Sequence, residues 1–163
     1  RPAVLFADAA ASSEPLRRLI DTHVDDALLA AVARAHAAGR RLYVGTTNLD
    51  TRRLVVWDMG AIAAGGRADL YRAVLLASAS VPGFLPPVPI TVEVNGRPVT
   101  ELHADGGATT GVFLRPSLLP GGRGLAGSDV YVVVAGKLYP DAAWTGPRAV
   151  DVAGSALTAM VSS

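Results

Sequence analysis

The sequence predicts an α/β fold with a central mixed sheet, on three observations. Apolar segments with helical spacing alternate with short segments of strand composition. A near-continuous apolar run at residues 130–135 is typical of a strand buried on both faces. The 163 residues suit a single domain, and no repeat or linker divides them, so we expect one domain over residues 1–163.

Two helices are predicted near the N-terminus. Ser13 is a candidate N-cap and Pro15 falls in the first turn, where a missing N–H is tolerated, so a helix is expected to run to about Thr22. Asp25 is the candidate cap of a second helix, predicted over residues 26–38 and ended by a glycine.

Two strands and a third helix are expected next. Residues 42–47 and 54–57 have strand composition and are predicted to pair across a polar break. Small residues at 61–69 indicate a connection, and residues 70–79 form an apolar helical segment.

A hairpin is predicted in the following segment. Prolines between residues 82 and 89 exclude a helix there. The pair Asn95-Gly96 separates the strand-like runs 90–94 and 98–103, and Asn-Gly in this setting is the strongest short-range hairpin signal.

Asp105 leaves the second arm of this hairpin and is the candidate catalytic residue. Gly106 and Gly107 follow it and are expected to take φ values that other residues avoid, leaving the carboxylate at a strand end. Taken alone, Asp-Gly-Gly is common turn chemistry, and an ordinary loop is the favoured interpretation.

Composition excludes several classes of function. Half of the residues are hydrophobic, yet no apolar run reaches the roughly 18 residues of a membrane span, and no signal peptide is present within the chain. The net charge is +1 and the arginines are scattered, which argues against nucleic-acid binding. The chain contains no cysteine, so disulfides and thiolate metal sites are excluded and the compartment stays undetermined.

Other candidate sites have simpler explanations. The segment 122–127 has the Gly-x-Gly-x-x-Gly spacing but precedes a strand, whereas a dinucleotide loop follows one. The aspartates and histidine of segment 21–26 are expected to cap helices rather than bind metal. His103 and Asp105 share a strand face but are too few to hold a metal, so His103 is expected beside the Asp105 loop or exposed at an edge. His36 is expected to be a solvated helix residue. No cofactor or metal is predicted.

Three blocks of the sequence resemble the patatin-like phospholipases. The chain is similar to this family from about Pro15 to Val161, and the order of the blocks matches the family's order. Phe84 and Leu85 are displaced relative to the family's usual aromatic residue. The blocks are Gly45–Thr51 followed by Val55–Asp58, then Ala77–Pro87, then Asp105-Gly106-Gly107.

The resemblance implies a layered α/β/α patatin-like fold, incomplete at the N-terminus, and a lipid acyl hydrolase with a Ser-Asp dyad. Asp105 would be the base of that dyad, within the family's Asp-Gly-Gly motif. The family's glycine-rich oxyanion loop and Gly-x-Ser-x-Gly elbow are absent from these 163 residues, because Ser128 and Ser155 lack the second glycine. We therefore expect a C-terminal portion of the catalytic domain, which is inactive alone.

Two alternatives remain open. A non-catalytic relative of the same fold would bind lipid or a protein partner at the same apolar pocket. A serine hydrolase that uses histidine is disfavoured, because no histidine follows Asp105. An acyl-ester lipid substrate predicts transient contact with a lipid interface, for which the aliphatic residues of Val81–Ile90 are the candidate surface. The ester class and the oligomeric state are not indicated.

Overall fold

The computed structural model describes residues 11–108. The chain divides into two compact units, residues 1–109 and 110–163, and the architecture below belongs to the first. The predicted strand at 130–135, the glycine-rich segment 122–127, and Ser128 and Ser155 lie outside the described residues. The single domain over residues 1–163 stays a prediction.

The described residues form a mixed α/β structure, as predicted. The strands make one four-stranded sheet in the order β2-β1-β4-β3, and every pairing among them is antiparallel. The sheet of residues 11–108 is therefore antiparallel, whereas a mixed sheet was expected. The elements are α1 (Glu14–His23), α2 (Asp26–Ala37), β1 (Tyr43–Asn48), β2 (Arg53–Asp58), α3 (Met59–Ala64), α4 (Ala68–Ser78), β3 (Val88–Val94), β4 (Arg97–Asp105) and a 3₁₀ helix (Gly106–Ala108).

The two N-terminal helices confirm the predictions made from their ends. The Asp25 carboxylate accepts a hydrogen bond from the Leu28 N–H at 2.8 Å, which caps α2. Gly39 follows α2 with a φ of +93°, the left-handed conformation that glycine adopts without strain. Ser13 is the N-cap of α1 by position, but its side chain makes no capping hydrogen bond.

Helix α3 was not predicted, because its small residues suggested a connection. The Asp58 carboxylate caps it by accepting a hydrogen bond from the Ala61 N–H at 2.9 Å. A Cβ added at Gly60 would collide with Nδ1 of His36. His36 therefore packs closely against α3, and its side chain is 23% exposed, so it is partly solvated rather than free on the helix surface.

The hydrophobic core lies between the helices and one face of the sheet. Met59 and Val74 are fully buried within it, and α4 contacts β1, β3 and β4. Burial of such apolar surface supplies the main favourable term in folding. The buried core residues are Val24, Leu29, Met59, Ile62, Ala63, Tyr71, Val74, Leu76, Ala77, Val88 and Ile90.

The predicted Asn-Gly hairpin joins β3 to β4. Val94 pairs with Arg97, so the connection has two residues. Asn95 and Gly96 have φ values of +52° and +74°, as a type I′ turn requires.

Candidate functional site

Asp105 is the last residue of β4, and hydrogen bonds on both sides of the strand hold its backbone in place. It lies opposite Thr46 of β1, and the Thr47 hydroxyl donates to its carbonyl oxygen at 2.8 Å. On the other side, the pairing of β3 with β4 ends opposite His103. The Asp105 N–H instead donates to the Ser80 carbonyl oxygen at 3.0 Å. The turn after α4 thus completes the hydrogen bonding of β4 where β3 has ended.

The Asp105 carboxylate is held through one of its oxygens. Oδ1 accepts a hydrogen bond from the Gly107 N–H at 2.9 Å. Within residues 11–108, this is the carboxylate's only hydrogen-bond partner, and the residue is half-buried. Since Gly107 binds Oδ1, the other oxygen, Oδ2, can still accept a hydrogen bond from a donor outside the described residues.

The two glycines after Asp105 have different roles, and neither role depends on a positive φ. The expectation of unusual φ values was wrong, because neither residue has a positive φ. A Cβ added at Gly106 would lie 2.7 Å from the carbonyl oxygen of Gly45 in β1, so the backbones approach too closely for any side chain. A Cβ at Gly107 would meet the Asp105 Oδ1 at 3.5 Å, an ordinary contact. Gly106 permits the close approach, and Gly107 supplies the N–H.

The three blocks that carry the family resemblance meet at Asp105. Gly45, Thr46 and Thr47 belong to the first block and lie beside the end of β4. Ser80 belongs to the second and binds the Asp105 N–H. Segments up to 58 residues apart in sequence are therefore in direct contact at the backbone of one residue, Asp105.

A buried polar network lies beside Asp105 on the same sheet. His103 is fully buried, with Nδ1 2.9 Å from the Thr46 Oγ1 and Nε2 3.4 Å from the Glu101 Oε2. The Trp57 Nε1–H donates to the same Thr46 Oγ1 at 2.7 Å, and the two rings meet edge to face with centroids 5.5 Å apart. His103 is thus a neighbour of the Asp105 loop, as one expectation held, and is not exposed at an edge.

The hydrogen-bond partners assign the protonation of His103. Nε2 faces a carboxylate and carries the hydrogen, so Nδ1 accepts from the Thr46 hydroxyl. Burial lowers the pKa of His103 below its ordinary value, and the nearby carboxylates of Glu101 and Asp50 oppose this shift only in part. The imidazole is neutral at pH 7.

Residues 11–108 contain neither a cluster of metal ligands nor a membrane-spanning helix. They contain no group of three or more His, Asp or Glu side chains that could hold a metal ion. In segment 21–26, Asp25 caps α2, as expected. None of the described helices has the length and apolar character needed to cross a membrane.

Sequence reasoning located Asp105 but not the side chains and backbone groups around it. The contributions of Thr46, Trp57 and Ser80 were missed, because each depends on contact between separate segments. Glu101 lies two residues before His103 on the same strand, but its role depends on the burial of His103. The only local signal was the position of His103 two residues before Asp105, which places both on one strand face. In comparisons with known proteins, neither a protein-family model nor a curated protein matches the chain.

Proposed function

We propose that this chain is part of a patatin-like lipid acyl hydrolase with a layered α/β/α fold, in which Asp105 is the base of a Ser-Asp dyad. The serine would lie outside residues 1–163. The observation that carries the proposal is the convergence of the three resembling blocks at the backbone of Asp105 and Gly106. The Asp105 carboxylate sits at a strand end, with one oxygen held by Gly107 and acceptor capacity left on the other.

The only catalytic group that the proposed ester hydrolysis needs from residues 1–163 is a positioned carboxylate. The Asp105 carboxylate takes the serine hydroxyl proton as the serine oxygen attacks the ester carbonyl, and a tetrahedral intermediate forms. Asp105 returns the proton to the departing alcohol. It then deprotonates the water that attacks the acyl-serine, and it returns that proton to the serine oxygen as the acyl–serine bond breaks and the fatty acid leaves. His103 takes no direct part, because its ring is fully buried.

The backbone of Asp105 favours this role. Its N–H and its C=O are both bound, by Ser80 and Thr47, and these contacts fix the strand end that carries the carboxylate. Holding a base in place before the reaction removes part of the entropic cost of proton transfer.

The segment Val81–Ile90 adjoins Ser80 and supplies a candidate lipid contact. Phe84 is 57% exposed, whereas Val88 and Ile90 belong to the core, so the surface is narrower than the sequence suggested. We expect Phe84→Ser to lower the ratio of ester hydrolysis on phospholipid vesicles to hydrolysis of a soluble short-chain ester. An unchanged ratio would exclude Phe84 from the interfacial surface.

The proposal is tested with Asp105→Asn in the protein expressed from its complete reading frame. Asparagine keeps an oxygen for the Gly107 N–H but cannot take a proton, so the turnover of p-nitrophenyl esters should fall about 10²- to 10⁴-fold. The matched control is Asp69→Asn, since that carboxylate is fully exposed on α4. Rates and folded fraction are measured together by steady-state kinetics and circular dichroism.

Two outcomes would reject the catalytic role of Asp105. One is an Asp105→Asn variant that retains the turnover of the control. The other is a wild-type protein that binds phospholipid vesicles without cleaving any ester, which would favour the non-catalytic lipid-binding relative.

A further inference from the structure

The buried polar network and the Asp105 carboxylate share one face of the sheet. Thr46 lies directly opposite Asp105 across the β1–β4 pairing, and residues opposite each other point to the same side. His103 precedes Asp105 by two residues and so projects to that side as well. The network links three strands next to the candidate base, through Trp57 on β2, Thr46 on β1 and His103 on β4.

The hydrogen bonds of this network are satisfied in one protonation state. The Thr46 hydroxyl has a single hydrogen, accepts from Trp57 Nε1–H, and donates to His103 Nδ1. A proton on Nδ1 would reverse the His103–Thr46 hydrogen bond, so the Thr46 oxygen would accept from both rings and the hydroxyl hydrogen would lose its acceptor. Buried polar groups that lose a partner rearrange or become costly. Among residues 11–108, the charged groups that face the ring are Glu101 of β4 and Asp50 of the β1–β2 turn.

We infer that His103 is a positioning residue for Asp105: the neutral imidazole holds Thr46, and through the β1–β4 pairing it keeps the Asp105 carboxylate against the Gly107 N–H. Protonation of His103 turns Nδ1 from an acceptor into a donor, so the Thr46 hydroxyl hydrogen loses its acceptor, Thr46 reorients, and the base is withdrawn from its working position. This inference rests on the proposed function, in which Asp105 accepts the serine proton. It assigns acid sensitivity to a residue that does not contact the substrate.

The pH profile of the full-length protein distinguishes positioning from a merely structural role. In the wild type, protonation of His103 displaces the base, so the acid limb of the pH profile of kcat/KM includes a component from His103. In His103→Asn, the side-chain oxygen accepts from Thr46 but does not titrate in this range, so the acid limb loses that component. His23→Asn, an exposed histidine of α1, is the matched control and keeps the wild-type acid limb.

A second pair of variants tests the link through Thr46. Thr46→Val keeps the shape of the side chain but removes the hydroxyl, and kcat should fall about tenfold or more with little change in KM, because the base is misplaced. Thr46→Ser restores the hydroxyl and should recover most of the loss. Equal kcat values for the two variants, or an acid limb in His103→Asn that matches the wild type, would overturn the inference.

An NMR titration, which does not depend on enzymatic activity, separates this inference from the proposed function. The amide proton of Gly107 binds Asp105 Oδ1, so its chemical shift reports the position of the carboxylate. In glycine-labelled protein, with the resonance assigned through Gly107→Ala, that shift should follow the titration of His103 and lose this component in His103→Asn. A protein without ester turnover rejects the proposed function, whereas a Gly107 shift that ignores His103 rejects the positioning role.

Discussion

The two halves of β4 differ in what holds them in place. Residues 97–100 are exposed and pair with β3 alone among the described residues. At residues 103–105, the strand also pairs with β1, and His103 and Ala104 are buried. One strand therefore runs from a solvated two-stranded ribbon into the interior of a sheet.

The difference shows where local and distant contacts determine the structure. The exposed half follows from the two-residue Asn-Gly turn beside it. The buried half depends on Thr46 and Thr47, which lie 57 and 58 residues away from their partners in β4. The candidate base lies at the end built by distant contacts, so changes there should have larger effects than changes at the turn.

The largest effect is expected at Gly106. Gly106→Ala would force a Cβ to within 2.7 Å of the Gly45 carbonyl oxygen, and because both groups belong to the backbone of paired elements, one must shift. We expect a loss of about 2–3 kcal/mol in the free energy of unfolding, measured by urea denaturation followed by circular dichroism.

Gly107→Ala is the matched control for that variant. Its Cβ would make only an ordinary contact, and its φ is not positive, so the change in stability should stay within about 0.5 kcal/mol. If the two variants had equal stability, close approach would not be the reason for glycine at position 106.

We expect His103, in the buried half of β4, to make the stability of the protein depend on pH. The folded protein favours neutral His103, whereas the unfolded chain binds a proton near the ordinary pKa of about 6.5. Below that pH the unfolded state holds more protons, so the free energy of unfolding falls as the pH decreases toward the folded-state pKa. The contribution reaches at most about 1.4 kcal/mol per pH unit. Urea denaturation at several pH values measures it, and His103→Asn should lack this component. An identical pH dependence in both proteins would contradict it.

The smallest effect is expected at the hairpin turn. Gly96→Ala places a Cβ at a φ of +74° in open space, so only backbone strain of about 1 kcal/mol is added. Urea denaturation should detect this loss, while ester turnover of the full-length protein stays at the wild-type rate. A fall in turnover per folded molecule would show that the two halves of β4 are coupled and do not act independently.

Much of the fold followed from short-range patterns. The caps at Asp25 and Gly39, the pairing of β1 with β2, and the Asn-Gly hairpin were all predicted, because each rests on neighbouring residues. Helix α3 was not predicted, because its small residues show little hydrophobic periodicity. Its first turn is stabilised by the Asp58 cap. The antiparallel order of the described sheet was not predicted either, because strand order depends on contacts between segments.

The candidate site likewise combines features that local sequence predicts with contacts that it does not. The residue types around Asp105 indicated a turn with a carboxylate at a strand end, and the resemblance added a catalytic interpretation to it. The burial of His103, the support from Ser80, and the close approach of Gly106 to Gly45 came from the assembled sheet. Hydrogen bonds spanning a few residues leave a pattern in the sequence. A contact across more than fifty residues depends on the folding of everything between its partners, and no local pattern records it.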